Sequence, residues 1–377
     1  MPLPKLLKDV LSLPTAPFCE SAVQAYVAAA CRCIPGVTLT TDRYGNLLAH
    51  YQHQPPDRTP LAFVAHLDHP GFVALEMTDR KTLRAAFRGG VRPEYFPRAR
   101  VRFWHGKRAL KGTITKVTRV EPPATKGGIA RPEEVLLRVA ANVPPGTPGM
   151  WDLPDPALRG DRVTARACDD LAGVAAMIDL LTRLGRQRVP GEVFCLFTRG
   201  EEVGFAGALA AARDGVLPHH AAVLSVETSS TLPHAPLGAG PIVRVGDRVS
   251  VFAPALTAFL VRVAQRRAER HRSFRFQRKL MDGGACEANA FLVHGYAATG
   301  ICLALGNYHN MDTARRRIAS EYISLKDWQM MVDLFEALVR NEHGPGAEDS
   351  SLIQRLDKLL DKYEPLLLAH RAAASHA

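Results

Sequence analysis

The sequence has no long hydrophobic run, and this absence excludes one large class of proteins. None of the uninterrupted apolar stretches in its 377 residues reaches the roughly 18 residues that a membrane-spanning helix needs. The N-terminal segment MPLPKLLKDVLSLPTAPF carries prolines and an aspartate where a signal peptide has its apolar core. We therefore expect a soluble, cytoplasmic protein with no membrane partner.

The sequence also lacks a pattern of paired cysteines. Its seven cysteines form an odd, scattered set without two CxxC motifs, so a disulfide-stapled miniprotein and a zinc ribbon are excluded and reduced thiols are expected. The composition is not that of a disordered chain either, because 47% of the residues are hydrophobic and 23% are charged. At roughly 100–200 residues per domain, the length predicts two or three globular domains.

An excess of positive charge raises the question of a nucleic-acid partner. Lys+Arg number 48 against 37 Asp+Glu, a formal net charge of +11. The densest basic stretch runs from Arg262 to Lys279. A helix with Val261, Ala264 and Ala268 on one side and arginines on the other is typical of an ordinary solvated face. Because no signature of a common nucleic-acid module is present, we expect no nucleic-acid partner.

Strand-like apolar runs alternate with amphipathic helices, which predicts an α/β domain with a largely parallel sheet. Buried strands are expected in Leu61 to Gly71, Glu192 to Gly200 and Ala221 to Ser230, and an apolar helix from Leu171 to Gly185. Polar residues follow each of these strands. Open α/β sheets place their sites at such strand ends, so the chemistry of this protein is expected there.

The sequence pattern changes between about Phe72 and Arg162, where short runs of alternating apolar and polar residues are separated by Gly, Pro and Asp clusters. This predicts a small β-rich domain inserted into the α/β domain. The chain then divides into residues 1–71 and 163–342 for the α/β catalytic domain, 72–162 for the insertion, and 343–377 for a linker and a C-terminal amphipathic helix. The leucines of that helix, from Ser351 to about Arg371, are expected to be buried on its own domain or on a neighbour.

Two pairs of polar residues look like parts of a metal site. In a strand, residues i and i+2 point to the same side, so His66 can bind a metal while Asp68 orients its imidazole. Of Asp169 and Asp170, which immediately precede the apolar helix, one carboxylate can bridge two metals and the other can support the helix start. Helix capping alone is the competing interpretation of this second pair.

Three further motifs, with four acidic or histidine residues between them, complete the set. Glu201 and Glu202 leave an apolar strand together, so one can bind a metal while the other takes a proton from a water molecule. Glu227 stands at another strand end, and His309 lies in the segment LGNYHNMD. Taken singly, each is explained as a capping or surface residue. Together they supply the nitrogen and oxygen ligands that zinc, cobalt or manganese accept.

The order of these motifs, HxD, DD, EE, a single acidic residue and a late His, resembles the co-catalytic metallo-aminopeptidases. The resemblance is greatest to the glutamyl aminopeptidase and tetrahedral aminopeptidase family, once also labelled endoglucanase. The matching segments, spread over about Lys5 to Val339, are AHLDHPGF, WDLPDPALRGDRVTARACDDLAG, TRGEEVGFAGA, LGAGPIVRVGD and YHNMDTARRRIASEYISLKD. The resemblance implies a three-layer, metallopeptidase-like α/β domain with a mixed, largely parallel sheet, plus the inserted β-rich domain.

The resemblance also implies two divalent metal ions per subunit, zinc or alternatively cobalt or manganese. The implied ligands are His66, Asp169 and Glu227 at the first metal, and Asp169, Glu202 and His309 at the second. Glu201 would be the general base, Asp68 would orient His66, and the Asp169–Asp170 peptide bond would be cis. The implied activity is an aminopeptidase that removes N-terminal residues from peptides with a two-metal-activated water.

The sequence departs from the family pattern at three places. The family usually has aspartate at the position of Glu227 and an acidic residue at that of His69. Where relatives carry a Gly-Thr-Asp-Ala-like segment near the substrate, this chain reads DGGACEANA, from Asp282 to Ala290. The last of these differences bears on the substrate more than on the hydrolytic chemistry.

The same set of residues is compatible with other functions, and the resemblance also bears on assembly. The same site can serve an amidohydrolase or deacylase acting on a non-peptide amide, and a scaffold protein can keep the fold without turnover. A carbohydrase is disfavoured, since glycosidases need two carboxylates flanking a sugar bond. Family resemblance implies a homo-oligomer in which the insertion pairs subunits, as a dimer or as a closed shell of up to twelve chains.

Overall fold

The computed structural model describes residues 2–106, 108–122, 130–345 and 350–374. The α-helices in these ranges are α1 (Lys5–Leu11), α2 (Ser21–Arg32), α3 (Leu171–Gln187), α4 (Ala206–Arg213), α5 (Pro254–Arg270), α6 (Ala288–Val293), α7 (Leu325–Val339) and α8 (Ser350–Ala374). The first strands are β1 (Val37–Thr41), β2 (Leu47–His53), β3 (Leu61–His66), β4 (Gly71–Met77), β5 (Thr82–Arg88), β6 (Arg100–His105), β7 (Arg108–Glu121), β8 (Arg131–Val139) and β9 (Pro148–Trp151). The remaining strands are β10 (Ala157–Arg159), β11 (Arg162–Ala165), β12 (Gly191–Thr198), β13 (Ala222–Ser230), β14 (Ile242–Asp247), β15 (Gln277–Met281), β16 (Ala298–Leu305), β17 (Met311–Asp312), β18 (Arg317–Ile318) and β19 (Glu321–Ser324).

An eight-stranded mixed sheet forms the centre of the molecule, in the order β1-β2-β12-β3-β13-β16-β14-β15. Its four middle strands, β12, β3, β13 and β16, run parallel to one another. Antiparallel pairs flank this parallel block, β2 with β12 on one side and β16 with β14 on the other. The carboxyl ends of the four parallel strands therefore meet at one edge of the sheet.

Helices cover both faces of this sheet because its central strands are apolar on both sides. Along β3, Leu61, Phe63 and Ala65 pack into the core that holds α1, α2, α3, α5 and α7. The alternate residues Ala62 and Val64 pack into a second core with α4 and α6. Strands that are buried on both faces have continuous hydrophobic sequences. This explains why apolar and polar residues do not alternate along β3 and β12. The three-layer α/β fold predicted from the sequence is confirmed.

A closed six-stranded barrel, β4-β5-β8-β7-β6-β9, follows β3 directly along the chain. Its interior is aromatic, with the rings of Phe72 and Trp151 4.8 Å apart and those of Phe87 and Phe96 also 4.8 Å apart. Closure removes the exposed strand edges that an open antiparallel sheet leaves. The predicted β-rich insertion is thus a barrel, while the exact domain limits stay a prediction.

For the C-terminal helix α8, the structure leaves one of the two predicted alternatives. Its residues 353–368 are exposed to solvent, so the leucine stripe does not pack on the domain of its own chain. The linker predicted between α7 and α8 lies largely outside the described residues. Its burial on a neighbour stays a prediction.

The cysteines and the hydrophobicity of the helices were the subject of two further predictions. All seven cysteines are free thiols, as predicted. Among the helices in the described ranges, none combines the length and the hydrophobicity needed to cross a membrane.

Candidate metal centre

The predicted site residues converge on the sheet edge where the parallel strands end. His66 is the last residue of β3 and pairs in register with Thr198, the last residue of β12. A turn of the chain at Gly200, with φ of 63°, then sends Glu201 and Glu202 back across that edge. A Cβ at Gly200 would lie 2.7 Å from the ring of Phe18, so only glycine fits this turn.

The remaining residues reach the same edge from other elements. Glu227 projects from β13, and Asp169 directly precedes Asp170, the N-cap residue of α3. His309 lies in a short turn after β16, with a positive φ of 53°. Parallel strands, a helix start and a turn that are far apart in the sequence thus contribute to one cluster.

Asp169 lies between the two histidines, with one carboxylate oxygen towards each. His66 Nε2 is 3.4 Å from Asp169 Oδ1, and His309 Nε2 is 3.7 Å from Asp169 Oδ2. His309 Nε2 also lies 3.2 Å from Glu202 Oε2. Ligand atoms within 4.8 Å of one another form the groups His66, Asp169 and Glu227; Asp169, Glu202 and His309; and His66, Glu201 and Glu202.

Both imidazole rings are held by their Nδ1 atoms. His66 Nδ1 lies 3.1 Å from the Asp68 carbonyl oxygen, and His309 Nδ1 lies 2.8 Å from the Gly90 carbonyl oxygen. A ring that donates from Nδ1 presents an unprotonated Nε2, the form that binds metals. Because Gly90 follows the barrel strand β5, the barrel helps to position a residue of the catalytic domain.

Asp68 has a further set of contacts that the HxD motif does not predict. Its carboxylate lies 3.6 Å from His66 Nδ1, near the ring it was expected to orient. It also accepts hydrogen bonds from the backbone N–H groups of Glu201 at 3.0 Å and Glu202 at 3.1 Å. Asp68 therefore holds the turn that carries the two glutamates.

The two aspartates before α3 have different positions. Asp170 accepts a hydrogen bond from the Gly173 N–H at 3.3 Å and caps the helix, while Asp169 faces the histidines. The Asp169–Asp170 peptide bond is cis, as predicted. A position at the cluster and the capping of α3 are thus divided between the two neighbouring residues.

Burial gives the cluster a strong affinity for positive charge. Burial raises the pKa of Glu201 well above its ordinary value, and the carboxylate of Glu227 adds to the effect. Burial lowers the pKa of His309, but the Glu202 carboxylate outweighs it and the pKa rises to about 9. Protons and cations both relieve this concentration of buried negative charge.

The donor set fits divalent metal ions. The buried Oε1 atoms of Glu202 and Glu227 have no hydrogen-bond partner among the described residues. Buried polar atoms are normally paired, so unpaired carboxylate oxygens beside two imidazoles indicate coordination. Imidazole and carboxylate are ligands that zinc, cobalt and manganese accept.

Three buried residues support the cluster; the sequence did not indicate Glu321 or Thr228, and it marked His69 only as a departure from the family pattern. Glu321 accepts hydrogen bonds from the N–H groups of Asp169 at 3.1 Å and His309 at 2.8 Å. His69 places its Nδ1 2.7 Å from the Asp169 carbonyl oxygen, and the Thr228 hydroxyl donates to Asp169 Oδ1 at 3.1 Å. Glu321 falls within a segment that carries the family resemblance, the one signal that could have indicated it. No local sequence pattern indicates a role for Thr228.

A cleft of about 900 Å³ opens onto the cluster, lined by Glu201, Glu202 and His309 among others. Five exposed arginines also line it, namely Arg92, Arg131, Arg162, Arg248 and Arg315. Arg315 pairs with Asp312 at 3.3 Å, and Arg162 lies over the ring of Tyr322. The cleft thus has an acidic centre surrounded by a basic rim.

An α/β sheet with histidines and carboxylates gathered at its parallel strand ends, entered through an open cleft, defines a metal-dependent hydrolase. The chain belongs to the M42 glutamyl aminopeptidase family, whose model matches residues 45–325. The protein is therefore a metallo-aminopeptidase, as predicted from the order of its motifs.

Individual proteins share part of the sequence or the fold. A candidate aminopeptidase of Acetivibrio thermocellus is 27% identical over 240 residues, which cover 60% of this chain and 69% of the relative. The aminopeptidase APDkam598 of Desulfurococcus kamchatkensis has a similar fold, with a TM-score of 0.73, 24% identity, and coverage of 89% of this chain and 94% of that one. The TET1 peptidase of Pyrococcus horikoshii, which can assemble into a tetrahedron or a large octahedral shell, gives a TM-score of 0.72 at 21% identity, with coverage of 89% and 98%.

Proposed function

We propose that this aminopeptidase works with two divalent metal ions that share the carboxylate of Asp169. The ligands are His66, Asp169 and Glu227 for one ion, and Asp169, Glu202 and His309 for the other. The observation that carries the proposal is the position of Asp169, whose two oxygens face His66 Nε2 and His309 Nε2 separately. The metal is zinc, with cobalt and manganese as alternatives that the same ligands accept.

When bound, two metal ions supply a water-derived nucleophile at neutral pH and polarise the scissile carbonyl. Glu201 serves as the proton carrier. Its side chain lines the cleft and is 11% exposed, and its Oε2 lies 4.0 Å from His66 Nε2. A carboxylate with a raised pKa accepts the proton of water and passes it to the leaving amine.

The test separates the base from the ligands. Glu201→Gln keeps the shape of the side chain, so it should retain both metals and lose at least about 10²-fold in kcat. His309→Ala should instead lower metal occupancy, because one protein ligand is lost. Elemental analysis and hydrolysis of aminoacyl arylamides provide the readouts, with the exposed Glu76→Gln as control. Near-wild-type turnover of Glu201→Gln would reassign the base, and full occupancy of His309→Ala would remove His309 from the ligands.

The substrate is a peptide with a free amino terminus, and we infer a preference for acidic peptides from the arginines of the cleft. Arg92 and Arg248 have no ion pair among the described residues, so both remain available to a substrate carboxylate. Rates on Glu, Asp, Leu, Lys and Ala arylamides, and on N-acyl amino acids, test this preference. Faster release of Lys than of Glu would contradict it, and turnover of N-acyl amino acids alone would favour the deacylase alternative.

We propose that the protein forms a homo-oligomer through its barrel and acts in the cytoplasm. The support for assembly is the shared fold with the Pyrococcus horikoshii peptidase that forms closed shells. The support for the location is the set of seven free thiols, which fits a reducing compartment. Light scattering tests assembly, and a monomeric mass for the full chain would contradict it.

A further inference from the structure

The guanidinium of Arg244 is buried in the α/β domain with few hydrogen-bond partners. Arg244 lies on β14 and is 2% exposed. Its Nη1 donates a hydrogen bond to the Ser229 hydroxyl at 3.2 Å, and its Nε has no partner among the described residues. A guanidinium has five N–H donors, and buried polar groups are normally paired. A buried cation with so few bonds to the described part of the chain indicates a position for a ligand.

The sheet directs this side chain towards the metal cluster. Arg244 on β14 pairs with Gly300 on β16, and Gly300 pairs with Ser225 on β13. A Cβ at Gly300 would lie 3.0 Å from Arg244 Cδ, so the glycine leaves room for the stem of the arginine to lie across β16. The next strand, β13, carries both Glu227 and Ser229. The guanidinium therefore reaches the strand that also carries a proposed metal ligand.

The neighbours of Arg244 do not satisfy its donors. Asp247 Oδ2 lies 3.8 Å from Arg244 Nη2, beyond hydrogen-bond distance. The two oxygens of Asp247 already accept four N–H hydrogen bonds of 2.7–3.1 Å, from Val249, Ser250, Cys286 and Asn289. Burial raises the pKa of the nearby Cys286 thiol, and the Arg244 guanidinium opposes this rise only in part, so the thiol is uncharged at neutral pH. Asp247 thus contributes charge but no hydrogen bond, and Cys286 contributes no charge.

Arg244 lines a small recess that adjoins the catalytic cleft. The recess has a volume of about 20 Å³, which is room for one or two water molecules and comparable with a carboxylate group. Glu227 also lines the recess, while Gly284, Ala285 and Tyr308 line both the recess and the cleft. Gly284 and Ala285 belong to the segment that departs from the family pattern. The cleft therefore continues, beside the metal cluster, into a recess with a cation in its wall.

We propose that Arg244 determines specificity by binding the side-chain carboxylate of an acidic N-terminal residue. This inference rests on the proposed function, in which the first residue of the peptide lies beside the metal cluster. Arginine binds carboxylates through charge-assisted hydrogen bonds, often two in parallel, and these are strong where water is excluded. A substrate carboxylate supplies the partners that the described part of the chain does not. The exposed arginines of the basic rim attract acidic peptides in general, whereas Arg244 acts on the first residue alone.

The first experiment compares ligands of the same shape and different charge on the wild-type, metal-loaded protein. The kcat/KM should be about 10–100-fold higher for glutamyl arylamide than for glutaminyl arylamide, because only the former offers a charged acceptor. Calorimetry should show tighter binding of free L-glutamate than of L-glutamine, and this measurement needs no turnover. Equal rates, or equal binding where no arylamide is hydrolysed, would overturn the proposal. Tighter glutamate binding without any arylamide hydrolysis would contradict the proposed function and leave the role of Arg244 supported.

The second experiment changes the charge of the recess. Arg244→Met replaces the guanidinium by an uncharged thioether, and Cys286→Asp adds a carboxylate beside the guanidinium. Each substitution should remove most of the preference for Glu over Gln, while the release of Leu and the metal content stay near wild type. The control is Arg278→Met, which removes an exposed arginine of the neighbouring strand β15 and should keep the full preference.

Two outcomes of the second experiment would overturn the proposal. An unchanged preference in Arg244→Met would assign the selection of acidic substrates to the basic rim. Loss of metal in that variant, with equal loss of activity on Glu, Gln and Leu substrates, would show that Arg244 supports the metal ligands and takes no part in specificity. If neither variant folds, as judged by circular dichroism, the comparison of glutamate with glutamine on the wild-type protein decides the question.

Discussion

Glu321 shows how a single buried carboxylate positions a site without belonging to it. The side chain is fully buried in β19, and its Oε2 accepts hydrogen bonds from the N–H groups of Cys168 at 2.7 Å and Asp169 at 3.1 Å. Its Oε1 accepts the N–H of His309 at 2.8 Å. One residue therefore fixes the loop of the proposed bridging ligand and the turn of a proposed terminal ligand.

Glu321→Gln should weaken metal binding while leaving the ligands in place. The amide NH₂ of glutamine cannot accept, so the N–H of either Asp169 or His309 loses its partner, at a cost of about 1–3 kcal/mol. We expect metal affinity to fall about 10–100-fold, the usual effect of removing a group that orients a ligand. Competition with a chelator measures this, with Glu336→Gln as a distant control. Unchanged affinity would show that the loops hold their positions without Glu321.

Glu287 provides a pH-dependent prediction for the metal-free protein. It is fully buried, the Thr198 hydroxyl donates to its Oε1 at 2.5 Å, and its Oε2 has no partner among the described residues. Burial raises the pKa of Glu287 to about 7, against the lowering effect of His66 and Thr198. The pKa of Glu287 is higher in the folded than in the unfolded protein. The protonated side chain therefore stabilises the fold fully below about pH 4.3, and this contribution to the free energy of unfolding is lost as the pH rises through about 7.

The wild-type protein should therefore lose stability relative to Glu287→Gln, which stays neutral, as the pH rises from about 4.3 to 8. The full change in this difference amounts to about 4 kcal/mol, for a pKa change of about 2.7 at 1.36 kcal/mol per pKa unit. Urea unfolding of both metal-free proteins across this pH range measures the difference. A constant difference, or one of opposite slope, would contradict the role given to Glu287.

At the scale of elements, the aromatic core is what makes the barrel a stable unit. Phe96 is fully buried, with its ring 4.8 Å from that of Phe87 and 5.3 Å from that of Trp151. Aromatic side chains in close contact contribute both buried area and favourable ring geometry. The barrel reaches the site through the Gly90 carbonyl, which holds His309.

Phe96→Ala should destabilise the protein by about 3–5 kcal/mol, because it leaves a cavity among rings that cannot close over it. Val120→Ala is the matched control, since Val120 is a barrel residue that is 44% exposed and its truncation should change stability by less than about 0.5 kcal/mol. Chemical denaturation followed by tryptophan fluorescence gives both values. Equal effects of the two substitutions would mean that the aromatic core contributes no more to stability than an exposed residue of the barrel.

At the scale of the whole molecule, metal ions should stabilise the fold. Glu202, Glu227 and the two histidines gather only in the folded chain, so metal binding adds RT ln(1 + [L]/Kd) to stability, about 2.7 kcal/mol at a hundredfold excess over Kd. Removal of metal should therefore lower Tm, and zinc or cobalt should restore it. His309→Ala should show a smaller recovery. An identical Tm with and without metal would show that the cluster is not a metal site in the folded protein.

Local sequence signals were sufficient wherever a structure depends on neighbours along the chain. The apolar run that begins at Leu61 predicted β3, and the run from Leu171 to Gly185 predicted α3, which continues to Gln187. Both predictions succeeded because buried strands and amphipathic helices produce hydrophobic patterns within a short stretch of sequence. The motif order identified the family, and the cis bond before Asp170 followed from it. The exposure of the leucines of α8 was not predictable, since a helix pattern shows which face is apolar but not what covers it.

The amino-acid sequence by itself determined the fold class, the family and the residue types of the site, because these follow from hydrophobic pattern and motif order. Only the tertiary structure decided how the site residues meet. It placed Asp169 between His66 and His309, and it tied the two loops to Glu321 and the barrel to His309 through Gly90. Those contacts join residues separated by up to 219 positions in the sequence, as for Gly90 and His309, and no local pattern specifies contacts over such separations. The physical reason is that the parallel sheet brings its strand ends to one edge whatever the length of chain between them.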